Sequence, residues 1–432
     1  MARDPALQPP RGTRDFYPEE LRLRSWLFEQ FREIARRFAF EEVDAPVVEH
    51  AELFIRKAGE EIVDQLYHFE LHERHLALRP ELTPSLSRMA IARAGALRFP
   101  LRWFAIGQNW RYERATRGRK REHYQWNMEI LGAPSVAAEA ELIAAIFALL
   151  DRLGLPAGAV RMRVNHRGLL EETLRRGVLR ERPEGFERLC VVIDKLDKIG
   201  AEAVSDQLVG SEAGLGLSRA EAEQVIEGLA VRDLDEAARR APEGSAAVAE
   251  LRRLFELLDA YGLADRVVFD ASVVRGLAYY TGIVFEAFDS AGRLRAVCGG
   301  GRYDRLVEQL GGPALPAVGF GLGDVVIGEL LGEQGLLPEI DRGLEVVVLP
   351  VSEAERPAAV RAVRRLRGAG RTVDLVLGTP RLKRALQDAD RAGARELWVI
   401  GPDEADRGVA RVRDLATGDQ REQPLPAAGD VR

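Results

Sequence analysis

FAIGQNWRYERATRGRKREHYQWNMEILG, residues 104–132, is the stretch on which the fold turns. Leu101 to Leu131 reads as two strands joined by a charged loop from Arg114 to Glu122, a long hairpin. In the second strand Gln125, Asn127 and Glu129 alternate with Tyr124, Trp126, Met128 and Ile130. A period of two puts the three polar groups on one face, and the same rule gives Arg111 and Glu113 a shared face. Such a face is either solvated or the wall of a polar pocket, and the pattern alone leaves both open. The loop gathers Arg114, Arg117, Arg119, Lys120 and Arg121 around Gly118. Cations in that number suit a polyphosphate or a nucleic-acid backbone, the plain alternative being a solvated loop.

On the N-terminal side, Leu23, Leu27, Phe31, Ile34, Ala35 and Phe38 recur at helical spacing, which predicts an amphipathic helix over Leu21 to Phe40. PVVEHAELF then enters an extended segment, and a strand from Leu76 to Glu81 leads into a helix from Leu82 to Ala96. Glu81 and Thr83 at that junction could bind an ammonium group; Thr83 as N-cap with Pro84 at the first helical position explains the same letters.

Beyond the hairpin, Glu139 to Leu153 reads as a helix and Val160 to Asn165 as a strand. Residues 168–262 turn helical and charged, as an inserted module would. Strand character returns at Arg266 to Glu286, a stretch that contains RGLAYYTGIVFE, and at Leu294 to Cys298. If Tyr279 and Tyr280 are extended they point to opposite faces. Three glycines follow in CGGGRYD, explained by a tight turn, a bulge or close approach of another group. GFGLG puts Gly319, Gly321 and Gly323 on one strand face able to accept a flat ring, ahead of a helix from Val325 to Leu331. After Pro338, LEVVVLPV, TVDLVL and ELWVIG alternate with helices over Ala354 to Ala369 and around Leu382 to Ala392, a small α/β domain with a largely parallel sheet.

A chain of 432 residues predicts two to four domains. The start lacks an apolar core of the kind that directs export, and no apolar run is long enough to span a bilayer, so a cytoplasmic location and no membrane partner are expected. Cys190 and Cys298 lack ligand spacing, so neither a disulfide nor a metal site is expected. The net charge of -6 gives no global reason for a nucleic-acid partner, which leaves local patches.

In order and spacing, these segments resemble the histidyl-tRNA synthetases, a class II family, along nearly the whole chain. PVVEHAELF resembles motif 1, which in the family supports a homodimer; the hairpin resembles motif 2; RPELTP and RGLAYYTG with GGGRYDRLVEQLGG resemble its histidine-specific signatures. The resemblance implies an α+β catalytic domain, an antiparallel sheet flanked by helices (1–167 and 263–335), a helical insertion (168–262) and a C-terminal α/β anticodon-binding domain (343–432). It implies activation of L-histidine by ATP with Mg²⁺ and transfer to tRNA(His). Glu81, Thr83 and Gln125 would hold the ammonium group, and Glu129, Tyr279 and Tyr280 would line the imidazole site. Arg111 and Arg275 would be the catalytic arginines at the α-phosphate, with Glu113, Gly321 and Gly323 around the adenine. Arg117 and Lys120 in the loop, and Arg364 and Arg365 in RAVRRLRGAGR, would contact tRNA. That C-terminal run also holds Arg361, Arg367 and Arg371 without a nearby acid, a local basic surface of free cations that the net charge conceals.

Two positions depart from the family. Val325 and Val326 stand where motif 3 usually has Glu-Arg, the arginine meeting the γ-phosphate; Arg119 or Arg121 is expected to take that contact. Ala278 stands where many members have aspartate. Loss of the motif 3 arginine favours an alternative, a non-catalytic histidine-binding regulatory subunit of ATP phosphoribosyltransferase. Retention of Arg111, Arg275, the basic loop and the C-terminal domain favours the enzyme. An RNA-binding module without catalysis leaves the Gln125/Glu129 face unexplained.

Overall fold

The structure is a computed structural model and describes residues 4–55, 64–210, 215–276, 279–294 and 296–426. The chain divides into two compact units, Met1–Leu337 and Pro338–Arg432.

The first unit holds β1 (Glu41–Glu42), β2 (Val48–His50), β3 (Tyr67–Leu71), β4 (Arg74–Leu78), β5 (Leu101–Trp110), β6 (Glu122–Leu131), β7 (Val160–His166), β8 (Val267–Phe269), β9 (Ile283–Asp289), β10 (Cys298–Arg302) and β11 (Ala317–Gly323). Eight of these form one sheet in the order β1-β5-β6-β11-β10-β9-β7-β8, and β2-β4-β3 form a small second sheet. The large sheet is antiparallel across its six central strands and parallel only at its two outermost pairings.

The expected hairpin is β5 and β6, paired from Leu101↔Leu131 to Trp110↔Glu122. The helix Pro18–Arg37 opens with proline and two glutamates, favourable at a helix start, and buries Leu27, Phe31, Ile34 and Ala35. It ends before Phe40 because Ala39 turns to φ +59°. Phe31 stacks on Trp126 of β6 with centroids 5.2 Å apart, so one face of the hairpin is closed by this helix and by the apolar helix Ala137–Arg152.

Three strand readings are corrected. Arg266 to Glu286 is not one strand: β8 ends at Phe269 and β9 begins at Ile283, and the described residues between them form no strand, with Arg275 at φ +58°. The strand expected at Leu294 to Cys298 lies later, as β10, with the three glycines in its middle and paired on both sides. Leu76 to Glu81 is shortened to β4, since Pro80 cannot continue the ladder. Between β7 and β8 the described residues form helices with their own apolar cluster, including Leu189, Ile193, Val204, Leu208 and Leu229.

The second unit orders its strands β13-β12-β14-β15-β16: β12 (Val346–Pro350), β13 (Val373–Leu375), β14 (Glu396–Ile400), β15 (Val409–Asp414) and β16 (Gln420–Pro424). The first three are parallel as expected; β15 and β16 add an antiparallel edge that the sequence reading omitted. Among the described residues, no helix is long and apolar enough to cross a membrane.

Candidate active site

Register decides which side chains meet. Gln125, Asn127 and Glu129 of β6 lie opposite Gly323, Gly321 and Gly319 of β11, while Gly321 and Gly319 in turn face Gly299 and Gly301 of β10. The result is a floor without side chains of its own, onto which neighbouring groups fold. A Cβ at Gly319 would overlap the Glu129 carboxylate, one at Gly321 the Gln125 amide, and one at Gly299 the Arg275 guanidinium. These glycines answer a need for close approach rather than for a turn. Space is open above Gly323, whereas Gln125 lies over the backbone at Gly321.

The polar face of the hairpin is buried at Asn127 and Glu129 rather than solvated. Glu129 is 1% exposed and takes hydrogen bonds from the Thr83 hydroxyl (2.7 Å), the Asn127 amide (3.3 Å) and the Tyr303 hydroxyl. Burial pushes its carboxyl up to about 7; those three donors pull it down, and Glu81 adds to the rise. Thr83 is therefore not an N-cap. The helix Thr83–Ala92 has Leu82 at that position with no side-chain cap, and the hydroxyl is committed to Glu129.

Glu81 is buried and accepts from the Tyr279 hydroxyl at 2.8 Å. Burial raises its pKa too, opposed by Arg111, Tyr279 and Arg275. One carboxylate thus lies within electrostatic reach of two arginines 164 positions apart (275 − 111). Arg111 donates to the Pro80 carbonyl at 3.0 Å, and Arg275 to Glu286 at 3.1 Å. Burial works against the Arg275 charge, but Tyr280, Glu286 and Asp194 around it raise its pKa on balance. Tyr279 and Tyr280 do not point to opposite faces. The chain is not extended there, and both rings are buried with centroids 4.9 Å apart. Ala278 lies outside the described residues.

The basic loop is less free than its sequence suggests. Arg119 pairs with Glu113 at 2.6 Å, Arg121 stacks over Tyr112 at 3.8 Å, and Arg117 reaches Glu329 (3.1 Å) and Glu333 on the helix Asp324–Glu333. Lys120 is half-buried. In the second unit, Arg364 is exposed on the helix Arg356–Gly368. Arg365 donates to the Pro424 carbonyl, Arg367 to that of Val373, and Arg371 pairs with Glu396 at 3.0 Å. The expected acid-free basic face is therefore corrected, because β14 brings Glu396 beneath the last of these arginines.

Four contributors were not assigned from sequence. Tyr303 follows the glycine run, and its hydroxyl position could have been guessed from RYD; Asn127 was visible on the polar face but given no role. Buried Arg79 donates to the carbonyls of Ala45 and Gln108, tying the PVVEHAELF side to the hairpin two residues before Glu81. Arg167, 2% exposed, donates to the Arg275 carbonyl at 3.2 Å and pairs with Glu187 of the helix Phe186–Ile193 at 2.7 Å. No local pattern marks these two. An apolar cavity lined by Leu170, Thr173, Val225, Gly228 and Phe269 lies apart from this cluster.

An antiparallel sheet with a glycine floor, a buried acid and phenol cluster, two arginines and a basic hairpin loop define a class II aminoacyl-tRNA synthetase fold. A family model described as histidyl-tRNA synthetase matches residues 12–324, and one described as an anticodon binding domain matches residues 345–430. "Histidine--tRNA ligase, chloroplastic/mitochondrial" of Arabidopsis thaliana is 49% identical over 417 residues, 96% of this chain and 84% of that protein. A histidine--tRNA ligase of Opitutus terrae is 40% identical, covering 96% and 95%. Among solved structures, a histidyl-tRNA synthetase from Nostoc sp. PCC 7120 superposes with a TM-score of 0.75 at 25% identity, covering 97% of each chain. One from Bacillus halodurans, titled an ATP phosphoribosyltransferase regulatory subunit/histidyl-tRNA synthetase, gives 0.72 at 25% identity, covering 91% of this chain and 98% of that one. The chain belongs to the histidyl-tRNA synthetase family.

Proposed function

We propose that the chain activates L-histidine with ATP and transfers it to the 3' end of tRNA(His). The observation that carries this reading is Glu81, a buried carboxylate sensed by both Arg111 and Arg275 and hydrogen-bonded to Tyr279. Glu81, Thr83 and Gln125 take the substrate ammonium, while Glu129, Tyr279 and Tyr280 enclose the imidazole. The histidine carboxylate attacks the α-phosphorus of ATP, the bond to the β-phosphate oxygen breaks, and pyrophosphate leaves. Arg111 and Arg275 offer fixed guanidinium charge where negative charge develops, the main demand of phosphoryl-type displacement. The terminal ribose hydroxyl of the tRNA then attacks the activated carbonyl and AMP leaves. Mg²⁺ enters as the counter-ion of the ATP substrate.

Glu113 and Gly323 border the adenine, and Gly321 contributes by letting the Gln125 amide lie against the strand. Arg119 or Arg121 takes the γ-phosphate by exchanging Glu113 or Tyr112 for it, in place of an arginine at Val326. Alanine at the responsible position raises the KM for ATP; an unchanged KM in both variants refutes the assignment. Arg117, Lys120, Arg364 and Arg365 contact tRNA. The division into a catalytic core (1–167 and 263–335), a helical insertion (168–262) and an anticodon-binding domain (343–432), the homodimer and the cytoplasmic location belong to the same reading. Light scattering tests the dimer and cell fractionation the compartment.

The regulatory-subunit alternative has less support, since the curated relatives reported above are named as ligases and the anticodon-binding match is retained. Histidine-dependent exchange of labelled pyrophosphate into ATP separates the two. Exchange by the purified chain is the expected result, and none by a folded preparation would leave the regulator.

A further inference from the structure

Asn127 lies on the pocket face of β6 between Gln125 and Glu129 and is 3% exposed. Its strand neighbours in register are Ala105 and Gly321, and the Gln125 amide lies over Gly321. Its Nδ2 donates to Glu129 Oε1 at 3.3 Å, which fixes the rotation of the amide. Its Oδ1 is buried and has no hydrogen-bond donor among the described residues. A buried acceptor in that condition is costly unless a ligand supplies the donor.

The carboxylate beside it is already heavily used. Glu129 Oε1 takes Thr83 and Asn127, and Oε2 takes Tyr303, three donors for about four acceptor positions. A ring N–H arriving here meets a nearly filled carboxylate and, next to it, an amide oxygen with both lone pairs available. We infer that Asn127 is a specificity-determining residue whose Oδ1 accepts an N–H of the bound histidine's imidazole, with Glu129 setting the direction of that oxygen. The inference rests on the proposed histidine activation and deepens it. It explains how the pocket reads a donor on the ring rather than ring shape alone, since an amino acid with a flat ring but no N–H leaves Oδ1 buried and unpaired.

The test compares the wild type with Asn127→Ala and Asn127→Ser in pyrophosphate exchange, using histidine and β-(2-thienyl)alanine, whose ring has no N–H. The wild type is expected to prefer histidine strongly. Each variant is expected to raise the KM for histidine by about tenfold to a hundredfold, the range for a lost partner of a buried polar group. The KM for ATP stays within twofold and the rate with thienylalanine does not fall, so discrimination collapses from the histidine side alone. Equal losses with both amino acids, or an unchanged KM for histidine, overturn the inference while the proposed activity stands. A wild type without histidine-dependent exchange overturns that activity and the inference with it. Calorimetric titration of histidine onto all three proteins gives the same comparison without catalysis, and serine covers the case in which alanine does not fold.

Discussion

The two faces of β6 are built from alternate residues of one ten-residue strand, and both are buried, yet they do opposite things. On one side Trp126, Met128 and Ile130 pack into the main apolar core, where Trp126 stacks on Phe31 and meets Phe320 edge-on at 5.1 Å. On the other, Asn127 and Glu129 are as deeply enclosed but hold charge and orphaned polarity over a glycine floor. The first face gains stability from the removal of apolar surface from water. The second loses some, because burial penalises the charged carboxylate more than three hydrogen bonds repay. A strand that needed only to fold would not carry the second pattern, so the contrast supports the proposed substrate site.

Removing the ring on the apolar side is the largest expected effect. Trp126→Ala should cost about 3–5 kcal/mol of unfolding free energy, seen as a lower urea midpoint, because the surrounding rings cannot collapse into the gap. A loss near zero would mean that this face is not the structural one. Glu129→Gln should act in the opposite direction and depend on pH. The ordinary carboxyl value is 4.5 and the folded value is about 7, so the folded protein retains a proton that the unfolded chain releases between them. Stability from this group is complete below the lower value and is lost as pH rises through the upper one. The interval corresponds to roughly 3 kcal/mol, so the glutamine variant should be more stable than the wild type by up to that amount at pH 8 and little different near pH 4.5. It should also bind histidine more weakly. Melting curves at the two pH values check the sign; a gain that ignores pH would place the carboxylate outside the pocket reading.

Much of this was legible in the letters. Alternation in HYQWNMEI gave the hairpin and its polar face, and the αβ alternation after Pro338 gave the core of the second unit. What failed was decided elsewhere in the chain. Gly299, Gly300 and Gly301 left a turn, a bulge and close approach equally open, and only the fold decides for the last: in β10, Gly299 lets Arg275 and Gly301 lets Tyr280 lie on the backbone. Tyr279 and Tyr280 read as alternating strand residues, whereas Arg275 takes a left-handed conformation with its carbonyl held by Arg167, 108 positions away. Arg371 read as a free cation because Glu396 is remote in sequence and adjacent only once β14 is in place.

The hairpin loop sharpens the contrast at its weakest end. Arg117 is bound to Glu329 and Glu333, and Arg293 also pairs with Glu333, but the arginine is well exposed and such pairs add little to stability. If Arg117 is a phosphate contact for tRNA, the two glutamates compete with the nucleic acid for it. Glu329→Gln combined with Glu333→Gln should then leave the melting temperature and histidine-dependent pyrophosphate exchange unchanged, since neither involves tRNA. The KM for tRNA should fall at low ionic strength, and the advantage should fade as salt screens both the protein pair and the phosphate contact. A rise in that KM would mean that the carboxylates hold the loop in its working position, and that this part of the surface is organised like the buried faces rather than in contrast to them.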